Sequence, residues 1–167
     1  MKITAEYKGK TVEIDVPDEK LEELVKEQKK TGWEQSRCGR NYFVVNAERE
    51  VKMWFDQNDN MSETLYNVGN YFTSKELAEN IACYQSLDLR IRRRIAEICE
   101  PITWDNGTKC NYNICYSNIL KRVDVSPCNM TFNSWCCDTK EHAKQIIEEF
   151  KDDLLWYFTE FKDRMDG

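Results

Sequence analysis

The sequence predicts an α+β protein in which two related strands-then-helix units form an antiparallel sheet covered by two long helices. The first observation is an internal repeat: residues 74–81 (SKELAENI) align with residues 139–146 (TKEHAKQI). The second is that Trp33-Glu34 with Asn41-Tyr42, before the first aligned segment, matches Trp104-Asp105 with Asn111-Tyr112 before the second. Units of this size bury their apolar faces against each other, so we expect one shared core.

A hairpin and a short charged helix precede the repeated units. Residues 2–7 and 11–16 alternate apolar and polar side chains around a Lys-Gly-Lys turn, the pattern of a β-hairpin with one buried face. Pro17 opens a helix that runs to about residue 30, and Gly32 ends it. The chain therefore divides into an N-terminal piece and two repeats: residues 1–32, 33–101 and 102–167.

The first repeat contains three predicted strands and a helix. The strands span residues 41–46, 50–55 and 64–72, with a polar loop at residues 56–63. The helix runs from residue 74 to residue 100, because Thr73 or Ser74 can cap its start and Pro101 stops it. Its apolar stripe is centred on Ile91, which we expect to lie in the core.

The second repeat shows the same order of elements. Its predicted strands span residues 111–116, 120–125 and 130–136. A helix follows from residue 140 to residue 164, with an apolar stripe centred on Phe150.

Composition excludes several classes of protein. With 41% hydrophobic and 12% aromatic residues, the chain has enough apolar surface for a folded core. The net charge of −6 argues against a general attraction to nucleic acid or anionic lipid. No apolar run approaches the roughly 20 residues of a membrane span, and the N-terminus lacks the pattern of a signal peptide. We expect a cytoplasmic protein with no membrane partner.

The eight cysteines are expected to be free thiols, with no metal and no cofactor. The cytosol keeps thiols reduced. Structural zinc sites favour closely paired cysteines, and only Cys110 and Cys115 have such a spacing. A zinc site that combines Cys128, Cys136 or Cys137 with His142 is the weaker alternative, and buried apolar thiols are the better one.

His142 is the only histidine, so it would have to serve as the base in any Cys–His catalysis. Cys137 could be its nucleophile at a helix N-terminus. However, His142 occupies the position of Leu77 in the other repeat, which favours a packing role. The chain also lacks phosphate-loop, dinucleotide-binding and metalloprotease motifs, so we expect a protein that is not an enzyme.

The last helix carries the predicted partner-binding surface. Trp156 lies off its apolar stripe and is surrounded by carboxylates, a composition typical of interface anchors. The predicted residues are Trp156, Glu149, Asp153, Glu160 and Asp163. An alternative is that this acidic side packs against Arg90 and Arg94 of the other helix.

A second hypothesis is a pocket for a nucleotide or nucleic acid. Tryptophan rings would stack on bases and arginines would hold phosphate. The candidate residues are Arg90, Arg94, Trp54, Trp104 and Trp135.

The turn Gly69-Asn70-x-Phe72-x-x-Lys75-Glu76-x-Ala78-Glu79, together with Trp33 before it, resembles small phage and prophage accessory proteins of Firmicutes. The segment from Trp104 to Tyr112 fits the same pattern. Some phage proteins of similar build block host defences such as CRISPR nucleases. The resemblance implies a non-catalytic inhibitor that binds a host or defence protein in the cytoplasm of the host cell. It leaves open whether the chain forms a homodimer.

Overall fold

The computed structural model describes residues 2–7, 10–15, 31–36, 39–101, 110–128 and 135–163. The chain forms two compact units, of which the first contains Met1–Thr31 and the second spans Gly32–Met165. In the first unit, strands β1 (Lys2–Tyr7) and β2 (Lys10–Asp15) pair antiparallel, which confirms the predicted hairpin. The helix predicted from Pro17 to about residue 30 lies outside the described residues.

The second unit begins with a hairpin close to the predicted positions. Strands β3 (Asn41–Val45) and β4 (Val51–Phe55) pair antiparallel. The side-chain oxygen of Asn46 accepts hydrogen bonds from the backbone N–H groups of Glu48 and Glu50, at 3.0 and 2.8 Å. Asparagine is favoured in turns for this reason, because its side chain satisfies nearby backbone donors.

The strand predicted at residues 64–72 is wrong, because much of this segment belongs to helix α1 (Asn60–Asn67). The Asp59 carboxylate caps the helix by accepting a hydrogen bond from the backbone N–H of Ser62 at 2.8 Å. Gly69 follows the helix with a φ of 70°, the left-handed conformation that favours glycine after a helix C-terminus. These local capping signals outweigh the apolar residues that suggested a strand.

Only the end of this segment keeps a strand contact. Phe72 and Phe43 exchange two backbone hydrogen bonds, at 2.8 and 2.9 Å. Beside them, the side-chain amide of Asn70 bonds to the backbone N–H and C=O of Val45, at 2.8 and 2.9 Å. The Asn70 side chain therefore makes the two bonds that the backbone of a longer strand would make.

Helix α2 (Lys75–Ile98) follows as predicted and joins two core clusters. Ser74 caps it by accepting a hydrogen bond from the N–H of Leu77 at 3.2 Å. The start of the helix, including Leu77, packs with residues of β3 in one cluster. Further along, Leu87 and Ile91 are fully buried in a second cluster with residues of the C-terminal half.

The C-terminal half contains a three-stranded antiparallel sheet. Strands β5 (Asn111–Ser117), β6 (Arg122–Cys128) and β7 (Cys136–Cys137) lie in the order β6-β5-β7. The predicted strand at residues 130–136 is described only from residue 135 onward, where β7 is two residues long. In both halves the first strand lies between the second strand and a short third segment.

The single helix predicted for residues 140–164 is wrong, because two helices meet at a kink. Helix α3 (Lys140–Glu149) ends at Phe150 and helix α4 (Lys151–Thr159) begins after it. Phe150 has φ −117° and ψ 25°, outside the helical range. The sequence has no glycine or proline at this position that would predict a kink. The Phe150 ring instead packs under the guanidinium of Arg90, 5.5 Å from its centroid.

The described strands of the second unit form two separate sheets rather than the one sheet predicted. β3 pairs with β4, while β5 pairs with β6 and β7. Helix α2 contacts the first sheet, and helix α3 contacts β5 and β6. Helices and antiparallel sheets are both present, so the α+β class is confirmed.

Candidate functional site

The predicted partner surface, which we call the Trp156 face, consists of Trp156, Glu149, Asp153, Glu160 and Asp163. Trp156 is half-buried and packs edge-on against Phe161, with ring centroids 5.7 Å apart. Glu160 and Asp163 are exposed. The tryptophan therefore lies at the margin of the core with part of its surface accessible.

Two carboxylates of the Trp156 face are held in ion pairs with helix α2. The Arg94 guanidinium donates to both carboxylate oxygens of Glu149, at 2.7 and 2.9 Å. Arg90 donates to Asp153 at 2.6 Å. The hydrogen bonds from Arg94 lower the pKa of Glu149 to about 2. The alternative packing, with the acidic side against these arginines, is confirmed for both pairs.

The residues of the second hypothesis are not gathered into one pocket. Both arginines are held in the ion pairs just described. Trp135 is buried and its indole N–H donates to Asp88 at 2.9 Å, whereas Trp54 lies exposed on β4. Trp104 lies outside the described residues.

A cleft of about 560 Å³ is lined instead by residues of β6, α3 and α4. Its floor includes Val125 and Ile147, and Leu155 lies exposed at its edge. Charged side chains of both signs line it as well, namely Lys121, Arg122, Lys144 and Lys151 with Asp124 and Glu148. Arg122 is paired with Asp124 at 3.1 Å. Sequence analysis missed this cleft because its residues come from a turn, a strand and two helices.

Cys137 and His142 do not form the nucleophile–base pair considered from the sequence. Cys137 is fully buried, and burial raises the pKa of its thiol far above the usual range. Nδ1 of His142 is hydrogen-bonded to Asp138 at 2.7 Å. A thiol that stays protonated is a poor nucleophile, so this geometry does not favour catalysis by Cys137.

The structure instead gathers Cys99, Asp138 and His142, which we call the Cys99 cluster. One sulfur, oxygen or nitrogen atom from each lies within 4.8 Å of the others. Burial acts to raise the pKa of Asp138, but hydrogen bonds from His142, the Glu100 N–H and Cys99 hold it below its ordinary value. The three residues do not form a recognisable metal-binding motif in the sequence, because Cys99 is far from the other two.

Among the strands of the second unit that the structure describes, β4 carries the largest exposed apolar side chains. Met53 is 63% exposed, Trp54 43% and Phe55 56%. Successive side chains of a strand point to opposite faces, so Met53 and Phe55 lie on one face and Trp54 on the other. The sequence predicted a strand here, and the structure shows that its large apolar side chains are exposed on both faces.

The backbone of β4 is also unpaired along its outer edge within the described part of the chain. Phe43 is bonded to Phe72, so the neighbouring β3 residues Tyr42 and Val44 pair with β4. In an antiparallel ladder, the backbone N–H and C=O groups of alternate residues then point away from the partner strand. On β4 these are residues 51, 53 and 55. Together with the side chains of Met53, Trp54 and Phe55 they form what we call the β4 edge surface.

No protein-family model, curated protein or solved structure matches this chain. Among the described helices, none is both long enough and apolar enough to cross a membrane.

Proposed function

We propose that this chain is a non-catalytic binding protein that captures a partner protein through the β4 edge surface. The observation that carries the proposal is an outer strand that combines unpaired backbone groups with three large exposed apolar side chains. Tryptophan, phenylalanine and methionine are enriched in protein interfaces. A soluble protein normally protects such an edge, since it otherwise invites pairing with another chain.

The mode of binding that fits this surface is strand addition. An extended segment of the partner would pair with the backbone of residues 51, 53 and 55, and the ladder hydrogen bonds would supply affinity. Met53 and Phe55 would contact alternate side chains of that segment on one face, and Trp54 those on the other. We therefore expect a partner segment with apolar residues on both faces.

The proposed partner is a bacterial defence protein, and the chain acts as its inhibitor in the host cytoplasm. Support for this identity comes from the resemblance of the Gly69–Glu79 turn to phage accessory proteins. The ion pairs of Glu149 and Asp153 reduce the free acidic surface of the Trp156 face, so we place the principal contact on β4.

The test measures how well matched surface variants of this protein capture a partner from a bacterial lysate that contains a CRISPR nuclease. Met53→Lys combined with Phe55→Lys introduces charge at the edge and should abolish capture. Ile119→Lys is the control, because Ile119 is 93% exposed at the turn between β5 and β6. Trp156→Ala with Glu160→Lys tests the Trp156 face, and we expect capture to persist.

Hydrogen exchange of the purified complex supplies the second readout. Bound partner should slow exchange of the amides of residues 51, 53 and 55 more than those of residues 52 and 54. Capture that survives the β4 variant, or is lost only in the Trp156 variant, would show that the β4 edge is not the contact.

A second candidate function, binding of a nucleotide or nucleic acid, is favoured by the cleft between β6 and the last two helices. Its lining has four cationic side chains against two carboxylates, and lysine and arginine suit phosphate groups. A labelled single-stranded oligonucleotide would report binding by fluorescence anisotropy. Lys144→Glu with Lys151→Glu should abolish that signal, whereas Lys75→Glu, on an exposed side of α2, should not. No binding by the wild-type protein at low salt would exclude this function.

A further inference from the structure

The Cys99 cluster joins the end of one helix to the start of another. Cys99 is the C-terminal cap residue of α2, and its N–H donates to the C=O of Ile95 at 2.9 Å. Asp138 immediately precedes the cap residue Thr139 of α3, and His142 lies in the first turn of that helix. Two elements that are distant in sequence therefore present a thiol, a carboxylate and an imidazole to one point.

We propose that Cys99, Asp138 and His142 bind a zinc ion. Their ligand atoms lie within 4.8 Å of one another. Sulfur and nitrogen ligands with one carboxylate suit zinc, whereas magnesium and calcium require mainly oxygen ligands. This proposal replaces the expectation of no metal that followed from cysteine spacing. It stands independently of the function proposed for β4.

The surrounding groups hold the three ligands in place. The backbone N–H of Glu100 donates to Oδ2 of Asp138 at 3.1 Å, while Oδ1 contacts Nδ1 of His142 at 2.7 Å. The Cys99 sulfur also interacts with the backbone N–H of Asp138 and with the thiol of Cys137. Such outer hydrogen bonds orient the ligands of metal sites.

To accept the ion, the 2.7 Å contact between Oδ1 of Asp138 and Nδ1 of His142 has to open. Ligands about 2.0 to 2.3 Å from zinc stand roughly 3.3 to 3.8 Å apart in a tetrahedron. The His142 side chain is 33% exposed, which leaves its ring room to turn. Cys99 would release its thiol proton to solvent on binding.

Three protein ligands leave the fourth position of a tetrahedral ion to water or another donor. Cys99 and His142 are partly exposed, whereas Asp138 is buried. Occupation of the site would tie the C-terminal end of α2 to the N-terminal end of α3. We therefore expect bound zinc to raise the unfolding temperature.

The test uses full-length protein, stripped with a chelator under reducing conditions and titrated with Zn²⁺ against a chromophoric chelator. Wild-type protein should bind one equivalent, and Co²⁺ should give the charge-transfer absorption of a thiolate ligand. Cys99→Ser and His142→Gln should each weaken zinc binding by about tenfold or more. Cys83→Ser is the matched control, because Cys83 is exposed on the same helix as Cys99.

Circular dichroism checks that each variant is folded. If Cys99→Ser does not fold, His142→Gln decides the outcome, because its side chain is partly exposed. Failure of the wild-type protein to bind one equivalent would overturn the proposal. So would unchanged affinity in a folded His142→Gln protein, or loss of binding in Cys83→Ser alone.

Discussion

The phenol of Tyr71 donates a hydrogen bond of 2.6 Å to the carboxylate of Asp56. Both residues are almost fully buried. The same carboxylate accepts from the Ser36 hydroxyl at 3.1 Å and from the Asn58 N–H at 2.7 Å. Tyr71 in turn stacks on Tyr42 of β3, with centroids 4.1 Å apart. This pair therefore anchors the segment between α1 and α2 to the end of β4.

Removal of the Tyr71 hydroxyl should destabilise the protein measurably. We expect Tyr71→Phe to lower the free energy of unfolding by about 1.5 to 3 kcal/mol, the range for hydrogen bonds to charged groups. Urea denaturation measures the change. Tyr66→Phe is the control, because Tyr66 is 39% exposed and its ring contact with Tyr71 would remain. Equal effects of the two substitutions would contradict a special role for the Asp56 bond.

Acid should weaken the fold partly through Asp56. Its pKa is held below the ordinary value of 3.8, first by the hydrogen bond from Tyr71. A carboxyl group with a lower pKa in the folded state contributes stability above its unfolded pKa and loses it as pH falls through the folded value. The free energy of unfolding should therefore drop below about pH 4.

Asp56→Asn isolates this contribution. The variant should be less stable at neutral pH, yet its stability should change less between neutral and acidic pH than that of the wild-type protein. Urea denaturation at a series of pH values measures both quantities. If acidification lowers the stability of Asp56→Asn as much as that of the wild-type protein, other carboxyl groups, such as Asp138, account for the loss.

Ile91 should be a principal core residue, since it is fully buried in the second half of α2. We expect Ile91→Ala to cost about 2 to 5 kcal/mol, as large core truncations do. Phe150→Ala should cost less, because Phe150 is half-buried at the kink rather than central. Ile119→Ala, at an exposed position, should change stability by less than about 0.5 kcal/mol. Chemical denaturation of the three variants ranks them, and a reversed order would place the core elsewhere.

The two helix caps should contribute similarly. Thr139 accepts a hydrogen bond from the His142 N–H at 3.1 Å, just as Ser74 accepts from Leu77. We expect Ser74→Ala and Thr139→Ala each to cost about 0.5 to 2 kcal/mol. Thr159→Ala serves as the control, because Thr159 is exposed at a helix end and caps no N-terminus. A loss at only one cap would show that the two turns are not energetically equivalent.

The correct parts of the sequence prediction depend on neighbouring residues. The caps Ser74 and Thr139, the helix stop before Pro101 and the hairpins act within a few residues, so periodicity and capping signals reveal them. The error at residues 64–72 has the same origin. The Asp59 cap and Gly69 both indicate a helix, but the apolar residues between them also fit a strand.

The candidate sites depended on contacts across the chain. The arginines of α2 pair with Glu149 and Asp153 only because α2 and the last two helices pack side by side. The Cys99 cluster exists because a helix end meets a helix start. The unpaired outer edge of β4 follows from which strands pair in the folded chain, and that pairing is not a local property of the sequence.

The α+β class, the hairpins, the long helix α2 and the apolar stripes could all be predicted from the sequence, since these follow from local hydrogen bonding and the periodicity of burial. The separation of the strands into two sheets, the kink at Phe150 and the contacts between distant side chains became visible only in the folded chain. The physical reason is that sheet pairing, ion pairing and ligand clusters depend on the relative positions of distant segments. Those positions are set by packing of the whole core.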